Sequence, residues 1–140
     1  MIWGTFALVF AAAFSGASFY VNWVEQPARL KLDDEALLGE WGPSDSRGVA
    51  LLAAFALVAA IAGFIAYFES QDVRWAFGAL VMIMSWPYAF FVMTPLDNQI
   101  RALRGSDVAA ARALVRQWGL VEPGLTALGL VAVALFIWVI

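Results

Sequence analysis

Glu122 is the residue in this chain best placed for acid–base chemistry. It follows "RALVRQWGLV", precedes Pro123 and opens an apolar run, so it has hydrophobic neighbours on both sides. A carboxylate there either caps a helix, favoured by the positive end of the helix dipole, or, partly stripped of water, takes a proton from a bound substrate. Asp97 and Asn98 in "TPLDNQ" follow another apolar run and can approach the same membrane face. A third polar group comes from "FYVNWVEQPARLKL". Asn22, Glu25, Gln26 and Arg29 recur at i, i+3, i+4 and i+7, which puts them on one face of a helix that continues through Pro27. The structural reading of this stripe is an interfacial belt, with Tyr20 and Trp23 at headgroup level and Glu25 paired to Arg29. The functional reading is a polar wall on an apolar pocket. If the stretches lie on one side of the membrane, Glu25, Asn98 and Glu122 converge there.

The chain lacks both cysteine and histidine. That removes disulfides, thiol redox chemistry, His-ligated haem and any zinc site built from His or Cys. With a lone Glu at each location a carboxylate metal site is disfavoured, so neither metal nor cofactor is expected. The net charge of -3 argues against nucleic acid, whose backbone calls for a basic surface.

Of the 140 residues, 64% are hydrophobic and 14% charged, more apolar surface than a soluble domain can hide. Crossing a hydrocarbon layer takes a helix of about 20 residues. Four runs qualify: Ile2 to Val24, Gly48 to Phe68, Trp75 to Met93 and Gly119 to Ile140. A cleaved signal peptide does not fit the first, because no Lys or Arg precedes its apolar stretch. Alternating polarity is absent, which excludes a membrane barrel and leaves an all-α, four-helix membrane bundle forming one domain over 1–140. No internal repeat stands out.

The loops carry helix signals of their own. Pro27 suits a first helical position for a segment to about Trp41, with "WGPSDSRG" as the turn and Ser44 or Ser46 as the next cap. Loop three reads as two short helices: one capped by Thr94 and Asp97 and stopped at Gly105, the next capped by Ser106. Loops one and three are thus expected to carry short interfacial helices over one end of the bundle. Pro87 should kink the third span by removing the donor for the Ile83 carbonyl, and Gly124 and Gly129 permit close helix packing. Arg and Lys concentrate in loops one and three, while loop two carries only Arg74. The positive-inside rule then puts those two loops in the cytoplasm and both termini outside, in a plasma or inner membrane if the source is bacterial.

Four blocks in order, "YVNWVEQPARLKL", "WGPSDSRG", "MTPLDNQIRAL" and "ARALVRQWGLVEPGL", resemble the anthrone oxygenase-like family of small membrane proteins, much of it of unknown function. The resemblance covers nearly the whole chain. It falls on Glu25, Pro27, Ala28 and Arg29, on Trp41, Pro43 and Ser44, on Pro95 and Asn98, and on Trp118. Gln26 and Glu122 stand where the family commonly has histidine, and Leu125 lies near the place of a family arginine. The resemblance implies oxidation of a polycyclic anthrone to an anthraquinone by molecular oxygen without a cofactor. In that reading Glu122 is the base, Asn22 and Asn98 orient the oxyanion, and Tyr20, Trp86, Tyr88 and Trp118 line the ring pocket. Glu25 and Arg29 form its polar wall.

Loss of both family histidines favours a second class: a non-enzymatic accessory subunit of a larger membrane complex, or a module that binds a quinone, carotenoid, isoprenoid or lipid. Spans two and four are apolar on every face, so a homo-oligomer is open as well. Transport is disfavoured, since the spans carry no ionisable residue at mid-depth and no inverted repeat.

Overall fold

Once lipid replaces water, each backbone amide in an apolar segment must find its partner within that segment, and a long helix is the solution open to a single run. A computed structural model describes residues 2–140, nearly all of them in four helices. These are α1 (Ile2–Arg29), α2 (Asp34–Ser70), α3 (Val73–Leu103) and α4 (Val108–Val139), each long and apolar enough to cross a membrane. They form a four-helix bundle in which α1 and α3 each pack against α2 and α4. The protein is an integral membrane protein. Residues 30–33 and 104–107 connect the helices at one end, the two-loop end, and residues 71–72 lie at the other with Ile2 and Ile140.

The residues expected to form interfacial helices are helical, but they are continuous with the membrane helices. The largest difference is at "WGPSDSRG", expected as a turn and found inside α2. At about 1.5 Å per residue the 37 residues of α2 span about 56 Å, well beyond a hydrocarbon core of about 30 Å, so the helix stands out at the two-loop end. A proline within a helix costs about 3 kcal/mol. Packing outweighs it here: Leu37, Leu38 and Trp41 are fully buried against Ile100, Val115 and Trp118, and Arg101 donates to the Gly42 carbonyl beside Pro43 at 3.3 Å.

The caps differ accordingly. Asp33 accepts from the Ala36 amide at 2.9 Å and starts α2, so Ser44 and Ser46 lie within the helix and cap nothing. Asp107, not Ser106, caps α4 by accepting from Ala110 at 3.1 Å. The 30–33 turn is clamped by Arg112 of α4, which donates to the Leu30 and Leu32 carbonyls and pairs with Asp34. It thereby serves carbonyls that a helix end leaves without partners.

Two prolines are accommodated by the same device. Residues Val21–Glu25 of α1 and Ala89–Met93 of α3 are wound as π-helix, with Gln26 donating to the Val21 carbonyl and Thr94 to the Ala89 carbonyl, five residues back. Pro27 and Pro95 follow at once, so α1 and α3 run on through both and Pro27 does not restart a helix. Thr94 and Asp97 make no cap. Thr94 Oγ1 donates to Ala89 O at 3.0 Å, and Asp97 is buried. At Pro87 the expected interruption appears as a turn at Met84, with Ser85 Oγ donating to the Met82 carbonyl at 2.7 Å. α4 has its own turn at Glu122, just before Pro123.

The two halves of the chain prove alike. Each has a π-turn followed by X-Pro near the two-loop end of its first helix, and each opens its second helix with matched residues, "ALLGEWG" at 36–42 and "ALVRQWG" at 113–119. The two tryptophans of that motif, Trp41 and Trp118, meet edge to face with centroids 6.2 Å apart. They anchor a core at the two-loop end, and a second core of alanines with Phe14, Trp75 and Phe136 fills the rest of the bundle.

Candidate functional site

Between the two cores lies a layer of polar side chains. Ser18 of α1 faces Glu122 and Thr126 of α4, and all three are buried. The Ser18 hydroxyl donates to Glu122 Oε1 at 2.7 Å and lies 2.6 Å from Thr126 Oγ1. A serine has one hydroxyl proton, so Thr126 is the donor of the second bond and the chain of donation runs Thr126 to Ser18 to Glu122. Glu122 Oε2 is buried and has no hydrogen-bond partner among the described residues. An acceptor left so is unfavourable by about 1–3 kcal/mol, which marks a place where a fold gives up stability.

Glu122 borders a cavity of about 270 Å³ between α2 and α3. Its walls are almost wholly apolar: Leu52 from α2 and Phe90 from α3 at the sides, Phe14 of α1 and Leu125 and Trp118 of α4 behind. Ser44 and Asp45 of α2 close it toward the two-loop end.

Each of those two residues is held by an arginine from another helix. Arg29 of α1, 2% exposed, pairs with Glu25 and Glu40 at 2.9 Å each and donates to Ser44 Oγ at 3.0 Å. Ser44 in turn donates to Glu25 at 2.6 Å, so Arg29, Ser44 and Glu25 form a closed ring of bonds with Glu40 joined to it through Arg29. Arg101 of α3 pairs with Asp45 at 3.0 Å and donates to Ser46 at 3.0 Å, and Asp97 lies within hydrogen-bonding reach of Asp45. The guanidiniums also stack crosswise on the tryptophan pair, Arg29 at 5.4 Å from the Trp118 ring and Arg101 at 5.0 Å from the Trp41 ring. Beside them Gln26 Nε2 donates to the Val115 carbonyl at 2.9 Å, in space left by the missing side chain of Gly119.

Of the residues singled out from the sequence, Glu122, Trp86 and Trp118 line the cavity, and Glu25 and Arg29 reach its rim through Ser44. Asn22 donates to the Ser18 carbonyl at 3.3 Å. The Tyr88 hydroxyl bonds the Val121 carbonyl, and Tyr20 is exposed. Asn98 is exposed and outside the cavity lining, so it does not converge with Glu25 and Glu122; its neighbour Asp97 is the buried one. Consecutive helical residues point about 100° apart, and the π-turn upstream in α3 resets which of the pair faces inward. The Glu25–Arg29 pair forms as expected, and its further ties go to α2, which starts early enough to bring in Glu40 and Ser44.

Ser18, Thr126, Glu40 and Asp45 were not singled out. For Ser18 a signal existed: it precedes Asn22 by four residues and extends the polar stripe of α1 by one turn. Glu40 and Asp45 gave none while residues 41–48 read as a turn. Among the described residues no three or more carboxylates converge as a metal-ligand set. Comparison with protein families, with curated proteins and with solved structures finds no match to this chain.

Proposed function

We propose that this membrane protein takes a flat, apolar, oxygen-bearing molecule of the anthrone or quinone type into the cavity between α2 and α3. Glu122 is its polar contact, and Trp86 and Trp118 lie against its rings. The observation that supports this reading is a buried carboxyl with one unpartnered oxygen at the wall of an otherwise apolar cavity. Ligand sites have that character, mostly apolar with a few placed polar groups.

The resemblance to anthrone oxygenase-like proteins supplies a reaction. Glu122 removes a proton from the ring methylene of an anthrone, and the carbanion adds molecular oxygen to give a hydroperoxide at that carbon. Loss of water from the hydroperoxide leaves the quinone carbonyl, so one oxygen atom enters the product and the other leaves as water. The Ser18–Thr126 pair holds Glu122 Oε1 and leaves Oε2 for the substrate, while the apolar walls orient the rings. The exposed position of Asn98 leaves it out of this reading.

A second reading, a non-enzymatic binding module, is favoured by Gln26. At this position, where the resemblance implies histidine, the side chain is bonded to the Val115 carbonyl and packed on Gly119, a structural task. One experiment separates the two: anthrone oxidation and oxygen uptake by the protein in lipid nanodiscs, against empty nanodiscs, together with anthraquinone binding. The enzyme reading expects acceleration by the wild type and a loss of about a hundredfold or more in Glu122→Gln. Tight anthraquinone binding without acceleration selects the module, and absence of both overturns the proposal.

A further inference from the structure

We propose that the ligand reaches Glu122 from within the bilayer, through the gap between α2 and α3, and that the Trp86 indole is the latch across that gap. The inference rests on the binding reading above and adds the route and the kind of molecule that can use it. Toward the two-loop end the cavity is shut. Ser44 and Asp45, adjacent on α2, are held by Arg29 and Arg101, which reach them from α1 and α3. A molecule coming from water on that side would have to break both ion-paired clusters.

The lateral side is built differently. Val49, Trp86 and Phe90 border the cavity and are 47%, 43% and 64% exposed, so apolar surface runs unbroken from the cavity to the lipid-facing side of the bundle. A neutral hydrogen bond crosses the gap: Trp86 Nε1 on α3 donates to the Ala53 carbonyl on α2 at 3.2 Å. Ala53 lies in the unbroken interior of α2, where its carbonyl already has the ordinary acceptor role in the helix ladder, so α2 stays intact when the indole lets go. Trp86 itself sits between the turn at Met84 and Pro87, the most irregular part of α3 at this depth. Prolines and ladder interruptions are where helices bend, which gives the indole room to swing.

Size narrows the ligand. Sites that enclose a drug-sized molecule run from roughly 300 to 1,000 Å³, and this cavity is about 270 Å³. It accepts a small fused-ring head with an oxygen to meet Glu122, and any longer apolar remainder stays outside in lipid. The ligand class is therefore a bilayer-dissolved planar amphiphile.

The test uses two carbodiimides on the whole protein in liposomes, with adducts located by mass spectrometry. Lipid-soluble dicyclohexylcarbodiimide should modify Glu122, several-fold faster in Trp86→Ala and with an intermediate rate in Trp86→Phe, which keeps a ring without the N–H. A water-soluble carbodiimide should modify exposed Glu35 and spare Glu122. Modification of Glu122 by the water-soluble reagent would overturn lateral access, as would the absence of a dicyclohexyl adduct in both wild type and Trp86→Ala. Equal rates in wild type and both Trp86 variants would overturn the latch; Trp86→Phe keeps that arm decisive should Trp86→Ala not fold. None of these readouts uses the ligand, so failure of anthraquinone to bind would count against the functional proposal alone.

Discussion

Arg29 and Glu122 are both buried ionisable residues near the same cavity, and their surroundings set them different tasks. Arg29 is held by two carboxylates, a serine and the face of Trp118, with its Nη1 left without a hydrogen-bond partner among the described residues. Removing one member of a buried ion pair leaves the others uncompensated at a cost of about 3–5 kcal/mol. Arg29→Met should therefore lower the thermal unfolding midpoint in detergent sharply, because Glu25 and Glu40 are left facing each other. Arg29→Lys should recover little of the loss, since a compact ammonium cannot serve both carboxylates and stack on an indole. Glu122 is the opposite case, with one oxygen held and the other free. Its replacement by glutamine keeps an acceptor for Ser18, so Glu122→Gln should unfold close to the wild-type temperature while any acid–base activity falls. Should Glu122→Gln prove as unstable as Arg29→Met, its carboxyl belongs to the fold and the functional reading loses its main support.

Helix packing in the membrane half depends on small residues. Phe136 of α4 sits in a notch between Gly63 of α2 and Gly78 of α3, where a methyl group on Gly78 would collide with the ring. Overpacking of this kind costs about 1–3 kcal/mol. Gly78→Ala should lower the unfolding midpoint, and pairing it with Phe136→Leu should return part of the loss, because the two positions are in contact and couple. A fully additive double variant would show that the notch does not hold the ring. Close approach at Gly124 and Gly129 was legible in the sequence, and so were the four apolar spans and the interruption at Pro87, because each depends on local composition alone. The course of α2 through Trp41 and Pro43 was not. Local signals there all favour a turn, and what overrides them is Trp41 packing on a residue 77 positions away. The π-turns escaped for a related reason: X-Pro marks the place, but whether the chain breaks, kinks or widens depends on what packs around it. Much of the candidate site depended on these two points, which is why Glu25 with Arg29 could be paired in advance while Ser44, Asp45 and the orientation of Asp97 and Asn98 could not.

At the scale of the molecule, the matched halves give the bundle two unlike ends. Basic residues gather at the two-loop end, yet several of them are structural: Arg29 and Arg101 hold α2, and Arg112 clamps the 30–33 turn. With those three set aside, Lys31, Arg47, Arg104 and Arg116 still stand exposed at that end. The opposite end has Arg74, whose side chain is engaged with Asp72 and the Trp138 carbonyl. The bias that orients membrane helices counts Lys and Arg near the ends of the spans, so it survives the subtraction, and on that ground we propose that the two-loop end faces the cytoplasm. The chain has no cysteine of its own, which makes single replacements clean reporters. Gln71 and Ser106 are exposed at opposite ends. In intact cells a membrane-impermeant maleimide should label Gln71→Cys, and Ser106→Cys only after permeabilisation. The reverse pattern would place the arginine-rich end outside. It would then follow that the remaining surface arginines, too, are kept for the fold or for a partner at that end, and that charge bias does not set the topology of this bundle.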